Sequence, residues 1–372
     1  MSNKKKLIAM LGGGQLGLMF TEKAQSMGEK ILVLDPDKNC PAGKIANKFI
    51  NAEYTDKNAL QSIMNECDVC TTEFENIPYK TLKTLENKIE VYPSSQSLKI
   101  TQNRSLEKKF LKSANIPTTK YYEINSSEDL NLLNHINDWP YILKTSAFGY
   151  DGKGQSVINN FNDLVIAYND AGVTNYVLEK KVKLYKEVSQ VAACYKNKII
   201  FLPISENIHI NNILHKSLVP AKITLDSENV IRDISKKIIH SLNYEGIICI
   251  EFFIDNDNNI LVNEIAPRTH NSGHYSIEGC DISQFEHQVK ILTKQEPKCS
   301  SLKSSTVMIN LLGDLWLNST PNFIPTDKEN IFLHLYNKDI AKPGRKMGHI
   351  TVIDKSITSA EKIADKLFNS LI

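Results

Sequence analysis

Two glutamates in otherwise apolar surroundings constrain this 372-residue chain more than any other feature. Residues 247–254 form an apolar run broken only by Glu251, and residues 260–265 form another broken by Asn263 and Glu264. Between them Asn256, Asp257, Asn258 and Asn259 have turn composition. With those four residues as the loop of an antiparallel hairpin, Ile254 is expected opposite Leu261 and Glu251 opposite Glu264, both carboxylates on one face. Like charges across a ladder are destabilising, and two buried carboxylates must otherwise share a proton. A divalent cation removes the conflict. Oxygen ligands select magnesium, which takes few carboxylates and completes its octahedron with phosphate oxygens and water. The alternative, two glutamates facing solvent, fits poorly with their apolar neighbours.

Two glycine-rich segments follow strand-like runs. Gly12-Gly13-Gly14-Gln15-Leu16-Gly17 comes after apolar residues 7–11, opens a helix-like stretch, and is followed by Asp35 at the end of the next strand. This spacing satisfies the dinucleotide-binding fingerprint, and it equally suits tight strand-to-helix packing or a phosphate or ribose contact with another ligand. In the second segment Lys144 closes an apolar strand and Gly149-Tyr150-Asp151-Gly152-Lys153-Gly154-Gln155 follows. A hairpin turn needs fewer glycines. Backbone donors laid over phosphates, with Lys144 and Lys153 adding charge, account better for the composition.

Directly after the paired glutamates, Arg268, His270, Asn271 and His274 put many donors in one loop, which suits an anionic, hydroxyl-rich ligand. The two histidines alone permit zinc, but no cysteine or third histidine follows closely. Lys338, Lys342, Arg345 and Lys346 surround a Pro-Gly turn and read either as a solvated basic turn or as a phosphomonoester clamp.

Strand signals at 7–11, 31–34 and 69–74 alternate with helix signals at 15–27 and 58–66, the rhythm of a parallel α/β sheet. A helix signal over 104–114 ends before Pro117. Beyond it, short apolar strands at 141–144, 176–179, 187–193 and 199–203 accompany one long helix-like stretch at 230–242, an α+β pattern with an antiparallel sheet. The Ser- and Lys-rich residues 298–305 read as a linker. The expected units are therefore 1–102, 103–297 and 298–372.

The chain carries 44 basic and 42 acidic side chains, a net charge of +2, so it has no general attraction for nucleic acid or an anionic membrane. Anion binding must be local. Residues 7–11 are too short for a signal peptide, and no run approaches the ~18 apolar residues of a membrane span. Seven cysteines without an export signal point to reduced thiols in a cytoplasm. Cys67 and Cys70 have the spacing of a metal or redox pair, but without a partner cluster they read as buried structural residues.

The order of Lys144, the second glycine segment, Glu179-Lys180-Lys181-Val182, Glu187 and the Glu251/Asn263-Glu264 hairpin resembles the ATP-grasp superfamily. Within it, segments 12–17, 73–76 (Glu-Phe-Glu-Asn), 149–155, 266–274, 283–286 (Ser-Gln-Phe-Glu) and 343–349 resemble the 5-(carboxyamino)imidazole ribonucleotide synthetases, in that family's order and over nearly the whole chain. The resemblance implies an ATP-grasp fold, α/β and α+β, with an N-terminal Rossmann-like pre-ATP-grasp domain and a small C-terminal domain, in a homodimer. It implies that Arg104, Lys144, Gly149, Tyr150, Asp151, Gly152, Lys153, Gly154, Gln155, Glu179, Lys180, Lys181, Val182, Glu187, His209, Asn263 and Glu264 form the ATP site, with Mg2+ on Glu251 and Glu264. Gln15, Glu75, Tyr150, Asp151, Arg268, His270, Asn271, Lys338 and Arg345 would hold 5-aminoimidazole ribonucleotide, its phosphate meeting Lys338 and Arg345. The implied activity is ATP-dependent carboxylation of this ribonucleotide by bicarbonate through carboxyphosphate, a carbon–nitrogen ligase reaction of purine synthesis, with Lys144, Asp151 and Arg268 as catalytic candidates. A different ATP-grasp ligase, a nicotinamide oxidoreductase and a non-catalytic nucleotide sensor are the competing readings.

Overall fold

A computed structural model describes residues 5–147, 154–170, 175–317, 321 and 329–371. Among these residues the strands build three sheets. The first is parallel and contains β1 (Leu7–Leu11), β2 (Lys30–Asp35), β3 (Lys48–Asn51), β4 (Val69–Thr72) and β5 (Glu90–Tyr92) in the order β3-β2-β1-β4-β5. A parallel sheet is covered on both faces, which is why β1, β2 and β4 are nearly uninterrupted buried runs. Asp56 caps the following helix, Lys57–Glu66, by accepting the Ala59 N–H at 2.8 Å.

The second sheet is antiparallel, with β6 (Tyr121–Ile124), β7 (Tyr141–Thr145), β8 (Gln155–Ile158) and β9 (Tyr176–Lys180) in the order β6-β9-β7-β8. The second glycine segment connects β7 to β8, with Lys144 opposite Gln155 at the base of the connection.

The third sheet holds β10 (Leu184–Tyr195), β11 (Lys198–Phe201), β12 (Ser205–Ile210), β13 (Ile213–Val219), β14 (Gly246–Asp255), β15 (Ile260–Ala266), β16 (Ser305–Leu312), β17 (Ile331–Leu335) and β18 (Lys346–Asp354). Its path is β15-β14-β10-β12-β13-β16-β18-β17, with β11 beside β10. The C-terminal strands thus continue the central sheet, β13 pairing with β16 from Lys216–Ile309 to Val219–Thr306. Lys216 Nζ also reaches Glu361 at 3.0 Å and Asp365 at 2.8 Å, tying the final helix, Ile357–Asn369, to β13.

The helix Leu225–Ser241 backs the paired glutamates. Thr224 caps it through the Ser227 N–H, and Ile231, Ile238 and Ile239 repeat at helical spacing on its buried face. They pack with Val188, Ile250, Phe252, Val262 and Ile265 of β10, β14 and β15. Each such side chain contributes roughly 1.5–3 kcal/mol by leaving water, so the hairpin stands on a rigid floor. No helix among the described residues is long and apolar enough to cross a membrane.

Candidate active site

The β14–β15 hairpin sets Glu251 opposite Glu264 as expected, but by another register. Ile254 faces Ile260 and not Leu261, because the turn is tighter than four residues: the Asp255 N–H donates to the Asn259 carbonyl at 3.1 Å, and Asn258 adopts a φ of 61°. The pairing runs on through Phe253–Leu261 and Phe252–Val262, after which Asn263 forms a β-bulge. That extra residue restores the offset, and Glu264 arrives opposite Glu251. The bulge also leaves Asn263 and Glu264 both half-buried, where regular alternation would hide one of them. Asn263 Oδ1 is buried without a hydrogen-bond partner.

Burial and the charge of Glu264 push the Glu251 carboxyl up to about 7, against the opposing charge of His209. Arg104 Nη1 lies 3.4 Å from Glu264 Oε2, and His270 Nε2 lies 3.2 Å from Glu251 Oε1. Two carboxylates and an orphaned amide oxygen are a hard-oxygen set that fits magnesium.

A group of cations converges on Glu179 of β9. Lys144 Nζ and Lys108 Nζ stand 3.2 and 3.3 Å from Glu179 Oε2, which also accepts the Thr119 hydroxyl at 2.9 Å. Burial disfavours the Glu179 charge, yet Lys144, Lys108 and Arg104 outweigh it and hold the carboxyl at about 2. Burial keeps the Lys144 amine below its ordinary range despite Glu179. Glu187 Oε2 lies 2.8 Å from His209 Nδ1; burial opposes the His209 charge, but Glu187 prevails and raises it. Lys180 turns to the other face of β9, its ammonium 4.9 Å from the Tyr141 ring centroid and 4.0 Å from Asp138. The Lys181 N–H donates to the Pro140 carbonyl at 3.2 Å, and Val182 is half-buried. Gly154 has a φ of 72°, while Gly149, Tyr150, Asp151, Gly152 and Lys153 lie outside the described residues.

The donor loop after β15 is held by Gln284, which accepts the His270 N–H at 2.9 Å and donates to the His270 carbonyl at 2.8 Å. Gly273 admits that approach, since a Cβ there would stand 2.5 Å from Gln284 Oε1. Arg268 Nε donates to Glu75 and Nη1 to the Thr269 carbonyl at 3.0 Å. Burial would raise the Glu75 carboxyl, but the Arg268 guanidinium lowers it. Asn271 is buried with neither its Oδ1 nor its Nδ2 partnered. From the C-terminal unit Lys338 Nζ donates to Gln15 Oε1 at 2.8 Å and to the Lys346 carbonyl at 2.6 Å. Arg268 with Glu75 and Lys338 with Gln15 are thus two separate pairs, and the Lys346 charge is felt at both Glu75 and His270. Arg345 Nη1 is tied instead to the Ile340 carbonyl at 2.7 Å.

The first glycine segment is closed to a dinucleotide phosphate. Glu73 accepts the N–H groups of Gly14 and, at 3.1 Å, Leu16, while Asp35 Oδ2 accepts the Gly13 N–H at 2.6 Å and the Tyr54 hydroxyl at 3.0 Å. The protein's own carboxylates occupy the donors that a pyrophosphate would need, which removes the nicotinamide reading. A Cβ at Gly14 would meet Glu73 Oε1 at 2.4 Å, so the glycine serves that internal contact.

Sequence reasoning missed Glu107 and Lys108, named Glu73 only within the 73–76 segment without a role, and placed Lys346 only in the basic turn. Arg104, Glu107 and Lys108 share one face of the helix Arg104–Ser113, and charges at that spacing ordinarily mark a solvated face. Here Glu107 and Lys108 are each 1% exposed. Glu107 Oε1 accepts the Ile265 N–H at 2.6 Å, and burial, then Glu264, push its carboxyl up to about 8. His274 joins a buried group in which His349 stacks on His334 with centroids 4.4 Å apart and accepts or donates a 2.8 Å bond with the Tyr336 hydroxyl. It does not chelate alongside His270. Cys67 and Cys70 are buried free thiols.

Cations drawn to one strand, beside paired carboxylates on a hairpin of a second sheet, define an ATP-grasp enzyme. A family model described as the ATP-grasp domain matches residues 109–285, one described as the ribonucleotide synthetase preATP-grasp domain matches 5–102, and one described as the phosphoribosylaminoimidazole carboxylase C-terminal domain matches 306–363. N5-carboxyaminoimidazole ribonucleotide synthase of Staphylococcus aureus (strain COL) is 41% identical over 360 residues, 95% of this chain and 94% of that protein. The crystal structure of the Staphylococcus aureus N5-carboxyaminoimidazole synthetase with ADP superimposes with a TM-score of 0.91 at 39% identity, covering 100% of this chain and 99% of that one. The Aspergillus clavatus synthase in complex with ADP and 5-aminoimidazole ribonucleotide gives 0.89 at 26% identity, covering 100% and 99%. The chain belongs to the N5-carboxyaminoimidazole ribonucleotide synthase family.

Proposed function

We propose that this chain uses ATP to carboxylate the exocyclic amine of 5-aminoimidazole ribonucleotide with bicarbonate, yielding N5-carboxyaminoimidazole ribonucleotide for purine synthesis. The observation that carries this reading is the donor loop that follows the Glu251–Glu264 hairpin: His270 contacts Glu251 and Arg268 pairs with Glu75, which supports groups suited to an anion and to hydroxyls next to a metal-nucleotide site. The Aspergillus clavatus relative, solved with ADP and the same ribonucleotide, supports it.

Bicarbonate is a poor electrophile, so a bicarbonate oxygen first attacks the γ-phosphorus and ADP leaves, forming carboxyphosphate. The amine then attacks the carboxyl carbon, phosphate departs with the bonding pair, and the amine proton passes to a base, for which Asp151 is the candidate. Lys144 and Arg104 stabilise charge on the transferring phosphoryl group, the main requirement of this chemistry. Glu251 and Glu264, with Asn263 beside them, are the residues to hold Mg2+, which when bound neutralises phosphate charge. The 149–155 loop, Glu179, residues 180–182, Glu187 and His209 complete the ATP site. Arg268, His270, Asn271, Gln15 and Glu75 hold the ribonucleotide, with Lys338 and Arg345 on its phosphate. Units 1–102, 103–297 and 298–372, a homodimer and a cytoplasmic location belong to the same reading.

ADP release measured with and without the ribonucleotide and bicarbonate tests the assignment. Release that requires both supports it, and release indifferent to the ribonucleotide overturns it.

A further inference from the structure

Among the described strands β15 pairs with β14 alone, an isolated bridge from Thr118 to Val262 apart, so the amides on its outer side need partners outside the sheet. They find them at two places. The Val262 N–H donates to the Pro117 carbonyl at 2.8 Å, and the Val262 carbonyl accepts the Thr118 hydroxyl at 2.8 Å. The Ile265 N–H donates to Glu107 Oε1 at 2.6 Å. In a regular strand, outward amides alternate, so residue 262 would be followed by 264 and 266. The anchored amides here are three residues apart, and that spacing exists only because Asn263 is an inserted bulge residue.

We propose that Glu107 is a positioning residue for the metal site: with Thr118 it clamps β15 on both sides of the bulge, and so determines where Asn263 and Glu264 present their oxygens. Without its carboxyl oxygen, the Ile265 amide loses its partner and the bulge is free to slide along the edge. A slide of one residue would turn Glu264 away from Glu251. Glu107 is well placed for this role because it rides on the same helix face as Arg104, which touches Glu264, and Lys108, whose Nζ donates to the Thr118 hydroxyl at 2.7 Å. One rigid helix therefore references both ends of the clamp to the cations around Glu179. The competing explanation is that Glu107 only satisfies an edge amide and supports the fold. The inference rests on the metal-nucleotide reading of the hairpin and is independent of the carboxyl acceptor.

The test is Mn2+ binding in the presence of ADP, followed by electron paramagnetic resonance, on the full chain and on Glu107→Met and Glu107→Gln. Methionine fills the volume without an acceptor; glutamine keeps one. Loss of an outer-shell partner weakens metal affinity by roughly 10- to 100-fold, which is the expected result for Glu107→Met, and Glu107→Gln should recover most of it. Thr118→Val, which removes the hydroxyl bond to the Val262 carbonyl and leaves the Pro117 bond, should weaken Mn2+ in the same direction and carries the comparison if the methionine chain does not fold. A lowered melting temperature with unchanged Mn2+ affinity in the acceptor-free variants would establish the merely structural role and overturn the proposal, as would a glutamine variant no better than methionine. Absence of Mn2+ binding with ADP in the unaltered chain would instead refute the metal reading of the hairpin, and the proposal with it.

Discussion

Lys338 Nζ donates to Gln15 Oε1 across 323 positions of sequence, laying a cation of the C-terminal unit against the first glycine segment. Neither residue needs that contact for local structure: Gln15 starts a helix, and Lys338 follows β17. Lys338→Met should therefore act on the ribonucleotide and spare ATP. A charge-assisted contact is worth about 1.5–3 kcal/mol, so KM for the ribonucleotide should rise roughly 10- to 100-fold. Steady-state kinetics with each substrate varied in turn will show it; an equal rise for ATP contradicts the assignment.

The hairpin and the basic turn should separate in their effects. Glu264→Gln removes charge where magnesium is expected and should abolish turnover, with added magnesium giving only partial recovery. Arg345→Ala should mainly raise KM for the ribonucleotide, by less than Lys338→Met, because its guanidinium rests on the Ile340 carbonyl. The reverse pattern in kcat and KM would refute the division of roles.

Arg268 and Glu75 form a mostly buried pair, their side chains 12% and 20% exposed. Arg268→Met strands the carboxylate and should cost about 3–5 kcal/mol of stability as well as activity. Adding Glu75→Met should restore much of the stability and none of the turnover. Denaturant unfolding of the two single variants and the double variant closes the cycle, and full additivity would mean that the pair is not coupled.

His287 is buried with both ring nitrogens unpartnered, and burial, then Lys290, lower it to about 4 from 6.5. Above pH 6.5 neither the folded nor the unfolded chain protonates it. As pH falls from 6.5 toward 4 the unfolded chain takes up a proton that the folded chain refuses, so stability declines by up to about 1.4 kcal/mol per pH unit. Below 4 both bind it and the slope from this residue ends. Chemical denaturation at several pH values should show a flatter profile for His287→Leu; an unchanged slope places the acid sensitivity elsewhere.

The paired glutamates were legible in the sequence because each interrupts an apolar strand, and the segments on either side of Asn256–Asn259 could only be a hairpin. Their register was less so. The expected Ile254–Leu261 pairing is off by one residue, and the Asn263 bulge makes up the difference, since neither a tight turn nor a bulge changes the apolar pattern. The first glycine segment likewise satisfied a nucleotide fingerprint whose donors are occupied internally, a fact decided by Glu73, 59 residues from Gly14. Glu107 and Lys108 escaped notice because helical charge spacing carries no sign of burial. Local chemistry was readable, whereas contacts between distant segments were not.

The β13–β16 ladder gives the C-terminal unit a different character from an appended module. Its strands share backbone hydrogen bonds with the sheet that bears the Glu251–Glu264 hairpin, so ending the chain before Ser305 would strip β13 and leave a bare, sticky edge. Exchanging this unit between homologues would work only where the two ladder faces match in side-chain shape. A lineage can therefore alter the phosphate contact proposed for Lys338 by point changes around that residue, but replacing the whole segment would mean reweaving the sheet.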